Sequence, residues 1–98
     1  MQHNLFISYD LNSPGQKYDL VANKIKALGS WAKVQKSFWY LNTTCTAEEA
    51  AKTVWSIMDS NDSLIVVDTA SNDAYWFNLA PETSQFIQRH WAAKSHAA

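Results

Sequence analysis

Asp10 is the acidic side chain whose position in this sequence best suits catalysis. It ends residues 4–10, NLFISYD, whose alternating pattern predicts a strand with Asp10 on the same face as Phe6 and Ser8. One carboxylate alone is a poor magnesium site, but in a two-fold dimer two copies of Asp10 can approach each other. Waters and a substrate phosphate would then complete an octahedral site. The alternative is that Asp10 accepts hydrogen bonds from the amides of the following loop.

The other chemistry-bearing side chains follow no catalytic or metal-binding pattern. Cys45 lies between threonines with no local histidine to act as its base, so it is interpreted as a plain loop cysteine. His3, His90 and His96 do not lie at helix-face spacing, and they are interpreted as surface residues. The sequence has no phosphate-binding glycine loop, HExxH motif or nucleophile elbow. The remaining aspartates are interpreted as residues of helix starts, turns and strand ends: Asp19, Asp59, Asp62, Asp68 and Asp73.

The composition describes one small globular domain without covalent reinforcement. Of the 98 residues, 47% are hydrophobic and 17% are charged, and the single cysteine excludes internal disulfides and paired-cysteine zinc sites. No apolar run approaches the roughly 20 residues that span a bilayer, and the first residues do not follow the pattern of a signal peptide. We therefore expect a cytoplasmic protein without a membrane partner.

Charge is distributed unevenly along the chain, although its net value is −1. Residues 1–41 hold five lysines and two aspartates, whereas residues 42–98 hold three cations and seven acids, so the two parts carry +3 and −4. The lysines are sparse compared with those of dedicated DNA-binding domains, in which like charges cluster on one face. The five tryptophans indicate core or partner contacts, because an indole is costly to leave exposed.

Hydrophobic spacing predicts the order strand, helix, strand, strand, helix, strand. After the first strand, residues 13–16 predict a turn, and apolar residues at helical spacing lead to Gly29, which is interpreted as a left-handed helix cap. Residues 31–41 predict two short strands joined by a tight hairpin or a bulge. Residues 46–49 form a capping box before a second helix, and residues 64–67 predict a buried strand.

This order predicts an α+β protein with the ferredoxin-like fold, βαββαβ. In that fold a four-stranded antiparallel sheet carries both helices on one side. All of residues 1–98 are predicted to form one ferredoxin-like domain, with its core at residues 4–68 and a C-terminal extension at residues 74–93.

The extension is predicted to add one strand and one helix to this core. Residues 74–79 predict an edge strand, Pro81 opens a helix, and residues 94–98 are expected to fray. Because both core helices lie on one side of the predicted sheet, its other face is uncovered. An uncovered apolar face marks an interface, so we expect a homodimer.

Three short motifs occur in order along the predicted elements. They are Tyr9-Asp10-Leu11 at the end of the first strand, Leu28-Gly29 after the first helix, and VQKSFW in the hairpin at residues 34–39. With these motifs, residues 4–68 resemble the CRISPR-associated protein 2 family and the related virulence-associated protein D toxins, in particular a bacterial branch of that superfamily. The resemblance implies a homodimer of ferredoxin-like subunits whose sheet faces are turned toward each other.

The resemblance also implies two kinds of activity. In catalytic relatives, the aspartate that matches Asp10 is proposed to bind magnesium between the subunits for phosphodiester hydrolysis. Other relatives are inert dimeric scaffolds that hold nucleic acid or a partner nuclease.

Three functions are consistent with these observations. The first is a magnesium-dependent endonuclease acting on RNA or DNA, with Asp10 as metal ligand and catalytic residue beside Ser8. Its nucleic-acid-binding residues would be Lys17, Lys33 and Lys36. The second is a noncatalytic dimeric adaptor or nucleic-acid-binding scaffold, in which the tryptophans build the core and a contact surface for a protein partner. The third is a single-stranded nucleic-acid platform, on which sheet aromatics stack on bases: Phe38, Trp39 or Tyr40.

Overall fold

Short apolar strands and amphipathic helices build one sheet with helices on both of its faces. The structure is a computed structural model that describes residues 2–12, 17–91 and 95–97. In chain order, its elements are β1 (His3–Asp10), α1 (Tyr18–Lys26), β2 (Ser30–Gln35), β3 (Phe38–Thr43), α2 (Ala47–Trp55), β4 (Ser63–Asp68), β5 (Asp73–Phe77), α3 (Pro81–His90) and β6 (Ser95–Ala97). The turn predicted at residues 13–16, together with Lys94 and Ala98, lies outside the described residues. Within those residues, the helices are too short or too polar to cross a membrane.

The strands lie in the order β2-β3-β1-β4-β5-β6, and β1 pairs antiparallel with both β3 and β4. The α+β class is confirmed. The prediction of a four-stranded antiparallel sheet is wrong, because β5 pairs antiparallel with β4 along its whole length and makes a fifth antiparallel strand. Nor is β5 an edge, since β6 pairs with it in parallel. Residues 95–97, which were expected to fray, are therefore held by main-chain hydrogen bonds to β5.

Both α1 and α2 cover the first face of the sheet, which carries Leu5, Ile7 and Tyr9 of β1. These three side chains are buried in one core with apolar residues of β3, β4, α1 and α2. Four small or medium residues of α2 are fully buried there: Ala47, Ala50, Ala51 and Val54. Three of the four are alanines, whose small side chains let the helix lie close against the strands.

The second face of the sheet carries the alternate residues and is partly covered by α3. Trp76 of β5 lies opposite Ile65 of β4, which places the indole on this second face. Trp76 is nevertheless buried, and its indole N–H donates to the Ser84 hydroxyl of α3 at 3.0 Å. The expectation that the helices leave one whole face uncovered is therefore wrong at β5. On β1, β3 and β4, the apolar side chains of this face are half-buried.

Gly29 has a different role from the predicted left-handed cap. The helix α1 ends in right-handed geometry at Ala27, and Gly29 does not adopt a left-handed backbone. A Cβ atom at Gly29 would instead collide with the main-chain carbonyl oxygen of Asn42 in β3. Glycine is required here by the close approach of two backbone segments.

The predicted hairpin and capping box are both present. The β2–β3 pairing shifts register between Lys33 and Gln35, so the hairpin contains a bulge as well as a tight turn. At the start of α2, the Thr46 hydroxyl accepts from the Glu49 N–H at 3.1 Å, and the Thr46 N–H donates to Glu49 Oε1 at 2.9 Å. Two free amides of the helix N-terminus are thereby satisfied.

Candidate functional site

Asp10 lies at the end of β1, where the second face meets the end of the sheet. It is exposed and lies opposite Ser63 of β4. Asn12, two residues further along the chain, is held by the buried carboxyl of Asp62, which accepts from the Asn12 N–H at 2.7 Å and from the Asp59 N–H at 2.8 Å. This places Asp10 on a well-anchored strand end, with its carboxylate open to solvent.

Next to Asp10, the second face carries an apolar cluster that we call the aromatic patch: Phe6, Phe38, Tyr40, Ile65 and Val67. All five side chains are half-buried. The rings of Phe6 and Phe38 stack with centroids 5.3 Å apart, and Tyr40 lies 5.8 Å from Phe6. The patch is continuous across the three middle strands, because Phe6 pairs with both Tyr40 and Val67.

Ser8 lies beside the aromatic patch, on the same face. It lies on β1 between Phe38 of β3 and Ile65 of β4, two residues before Asp10 on the same face. At the other end of the patch, Asn4 Oδ1 accepts from the Tyr40 hydroxyl at 2.6 Å and from Asn42 Nδ2 at 2.9 Å. The patch is therefore bordered by a polar network at one end and by Asp10 at the other.

The three lysines predicted to bind phosphate lie apart from the centre of this face. Lys17 forms an ion pair with Asp59 at 3.0 Å. The ammonium of Lys36 lies 5.3 Å from the ring of Tyr18, at the start of α1. Lys33 is on the first face, opposite Trp39 in the β2–β3 ladder. Lys33 therefore does not lie on the same face of the sheet as Asp10.

The aromatic residues of β3 alternate between the two faces. Trp39 is buried in the core, where its indole N–H donates to the Tyr9 hydroxyl at 3.0 Å. Burial raises the pKa of Tyr9, although the hydrogen bond from Trp39 acts in the opposite direction. Of the three residues considered as a base-stacking platform, Phe38 and Tyr40 are therefore on the second face, and Trp39 is not available for stacking.

The tryptophans divide between buried and exposed positions. Two are buried, on opposite faces of the sheet: Trp39 and Trp76. Trp55 and Trp91 are half-buried, and Trp31 of β2 remains 46% exposed. Core packing thus accounts for only part of the tryptophan content.

His3 makes a polar contact with Asp68 that the sequence did not predict. It was interpreted as a surface residue, but its Nδ1 lies 2.6 Å from Oδ2 of Asp68, whose carboxyl is almost fully buried. Burial favours a higher pKa for Asp68, but hydrogen bonds from Ser71, Ala70 and His3 outweigh it and lower the pKa. The signal is the two-residue period, which places His3 on the same face as Leu5, and Leu5 is the residue that pairs with Asp68 in the β1–β4 ladder.

Cys45 and a nearby depression lie at the opposite end of the sheet from Asp10. The Cys45 N–H donates to the Thr43 hydroxyl at 3.1 Å, and its side chain packs against the core. The depression has a volume of about 300 Å³ and is lined by uncharged residues: Gln2, Leu28, Gly29, Ser30, Asn42, Thr43 and Thr44. Its lining has no acid, base or nucleophile suited to a reaction.

The chemistry that one chain offers is limited. In residues 2–12, 17–91 and 95–97, no three histidine, cysteine, aspartate or glutamate side chains come together as a metal site. A single copy of Asp10 therefore does not by itself fit magnesium, which prefers an octahedral set of oxygen ligands. The best-formed surface is the aromatic patch. Comparisons with known protein families, with curated proteins and with solved structures found no match to this chain.

Proposed function

We propose that this chain is a noncatalytic scaffold that acts as a homodimer joined through the aromatic patch. The observation that supports this proposal is the run of half-buried apolar side chains across β1, β3 and β4. Neither α1 nor α2 covers them, since both helices pack on the first face. Contiguous apolar surface of this kind on a soluble protein marks an interaction site.

A second copy of the chain suits the aromatic patch better than a charged partner does. A two-fold interface brings the same surface together from both subunits, so the surface must be complementary to itself. The patch itself contains no charged side chain; the neutral amides of Asn4 and Asn42 border it at one end, and Asp10 borders it at the other. An apolar centre with a polar rim is the usual anatomy of such interfaces.

The strand order supports a ferredoxin-like arrangement within this sheet. The first four strands lie in the order β2-β3-β1-β4, all antiparallel, with α1 and α2 packed on one face. We interpret β5, α3 and β6 as an addition to that unit. Kinship with the CRISPR-associated protein 2 superfamily, a cytoplasmic location and the ability to hold RNA or DNA are part of the same proposal.

Sedimentation of charge-insertion variants tests the dimer. We expect the wild type to sediment at twice the chain mass of 11.1 kDa, and Phe38→Lys to sediment as a monomer because it buries a cation at the centre of the interface. Ile65→Lys makes the same test from another strand, in case one variant does not fold. Leu20→Lys is the control, since Leu20 is an exposed apolar residue of α1. A monomeric wild type at micromolar concentration, or dimeric folded variants, would contradict the proposal.

A second candidate function is a magnesium-dependent endonuclease, and the position of Asp10 favours it. Asp10 lies on the same face as the aromatic patch, so pairing two copies through that face brings both Asp10 carboxylates into one assembly. A magnesium ion held by them would activate water and neutralise charge on the phosphate. Ser8 is the nearest hydroxyl along the strand on this face.

Incubation with short RNA and DNA and magnesium separates the two functions. Cleavage that is lost in Asp10→Ala but retained in Asp19→Ala, which removes another exposed carboxylate, would support the nuclease. Binding of the oligonucleotides without cleavage supports the scaffold. Cleavage that Asp10→Ala leaves unchanged would rule out Asp10 as the metal ligand.

A further inference from the structure

The edge strand β2 is the most exposed element of the sheet. All six of its residues are exposed, and β3 is its single strand neighbour in the part of the chain that the structure describes. In an antiparallel ladder, alternate residues of an edge strand point their N–H and C=O groups away from the sheet. The outer side of β2 therefore presents main-chain groups to which a further strand can bond.

Lysine side chains lie on and beside this edge. Residues 20–47 contain four lysines and no acidic residue. Lys33 is within β2, and Lys36 follows it in the turn. Lys26 lies at the end of α1 with its ammonium 4.6 Å from the Trp31 ring centroid. Lysines on an edge strand prevent pairing with another basic edge, and the same charges attract an acidic strand.

Trp31 gives this edge an apolar anchor. It lies on the first face, opposite Leu41 of β3, and its ring packs at 5.6 Å against Trp39. Its 46% exposure leaves apolar surface beside the cation of Lys33, two residues along the same face. Tryptophan is among the residues that most often contribute strongly to binding energy when an interface buries them.

The geometry favours a peptide over a nucleic acid at this edge. A base would need an open ring face on which to stack, but Lys26 lies over the Trp31 ring and Trp39 packs against it. A peptide strand uses the outward main-chain groups, which a nucleic acid does not need.

We propose that the regular part of β2, residues 30–33, binds an acidic, extended segment of a partner protein as an added strand. The carboxylates of the segment would lie against Lys26 and Lys33, and an apolar side chain would contact the part of Trp31 that remains exposed. The bulge between Lys33 and Gln35 ends the regular pairing and so limits the length of the added strand. This site is separate from the aromatic patch, so a failure of the dimer proposal leaves it unaffected.

The probe is a short synthetic peptide, Thr-Glu-Thr-Val-Thr-Glu-Thr, in which glutamate and valine share one face of a strand, as Trp31 and Lys33 do. We expect it to bind the full-length protein in fluorescence anisotropy and to shift the amide resonances of residues 30–33. Two versions of the peptide are N-methylated at alternate positions. The version whose methyl groups replace the N–H groups that face β2 should bind at least about tenfold more weakly than the other, because it cannot form the ladder. Equal binding of the two versions would overturn strand addition.

Charge reversal adds a matched control. Lys33→Glu should weaken binding of the glutamate peptide about tenfold. The same variant should bind a version of the peptide in which lysine replaces glutamate. Arg89→Glu makes the same change of net charge on α3, at the far side of the sheet, and should leave both affinities unchanged. If Arg89→Glu has the same effect as Lys33→Glu, or if oligothymidylate displaces the peptide and binds through Lys33, the proposal is wrong.

Discussion

Asp68 is the most constrained carboxyl group of the described structure. Its side chain is 1% exposed, and its Oδ1 atom accepts from the Ala70 N–H at 3.0 Å while Oδ2 lies against His3. Burial opposes ionisation, but the hydrogen bonds from Ser71, Ala70 and His3 outweigh it and hold the pKa below its ordinary value. Because its pKa is lower in the folded than in the unfolded chain, the ionised carboxylate of Asp68 stabilises the folded state.

The first prediction is that Asp68 makes the protein sensitive to acid. The unfolded chain protonates Asp68 near its ordinary pKa of 3.8, whereas the folded chain does so at lower pH. The unfolded state therefore binds more protons in that window, and stability that is present above about pH 4 is lost as the pH falls through the folded-state pKa. Urea unfolding at a series of pH values measures this loss.

Asp68→Asn tests the assignment of this acid sensitivity. It should lower the free energy of unfolding at neutral pH by about 1–3 kcal/mol, because hydrogen bonds to a buried charge are lost. Below about pH 4, the free energy of unfolding of this variant should decrease less steeply with falling pH than that of the wild type. Asp19→Asn removes an exposed carboxylate and serves as the control. A variant Asp68→Asn with the acid dependence of the wild type would contradict the prediction.

The second prediction concerns Gly29. Gly29→Ala should lower the free energy of unfolding by about 1–3 kcal/mol, because the added methyl group collides with the Asn42 carbonyl oxygen and backbone must move. Chemical denaturation measures the change. Ser30→Ala, at the neighbouring exposed position, should change stability by no more than about 0.5 kcal/mol. Equal stability of Gly29→Ala and the wild type would show that this contact is easily relieved.

Among the elements, α2 has the best-defined start. The third prediction is that Thr46→Ala lowers the free energy of unfolding by about 1 kcal/mol, because the Glu49 N–H loses its acceptor. Thr44→Ala removes a similar hydroxyl from an exposed position outside the helix and should have little effect. Thermal unfolding of the two variants side by side makes the comparison. The same loss in both would mean that the cap contributes nothing specific.

Elements with local signals could be predicted from the sequence, and those that depend on distant pairing could not. The capping box at Thr46 and the alternation of β1 are properties of neighbouring residues. By contrast, β6 has three residues with no strand pattern, and it is ordered by pairing with β5. The role of Gly29 and the contact of His3 with Asp68 likewise depend on which strands become neighbours.

In the candidate site too, some positions follow from the local sequence pattern and others depend on distant pairing. The alternation of β1 correctly places Ser8 and Asp10 on the face of Phe6, because side-chain direction in a strand has a period of two residues. The lysines lie on different elements and faces, which no local pattern determines. Lys33 lies on the first face through the β2–β3 register, and Lys17 is held by Asp59.

For the molecule as a whole, the fourth prediction concerns the proposed dimer. If folding and dimerisation are coupled, the urea midpoint of the wild type should rise with protein concentration, because mass action favours the associated folded state. The midpoint of Phe38→Lys should not depend on concentration. Unfolding curves recorded over about a hundredfold range of concentration test both statements. A constant midpoint for the wild type would argue against the dimer.

The helix α3 covers Trp76 and should unfold locally before the rest of the protein. No residue of α3 is itself buried, and Trp76 lies outside the main hydrophobic cluster. We therefore expect the contact between α3 and Trp76 to open at a lower free energy than that of global unfolding. As a fifth prediction, native-state hydrogen exchange should release the α3 amide protons well before those of β1. Equal protection of α3 and β1 would instead indicate a single cooperative unit.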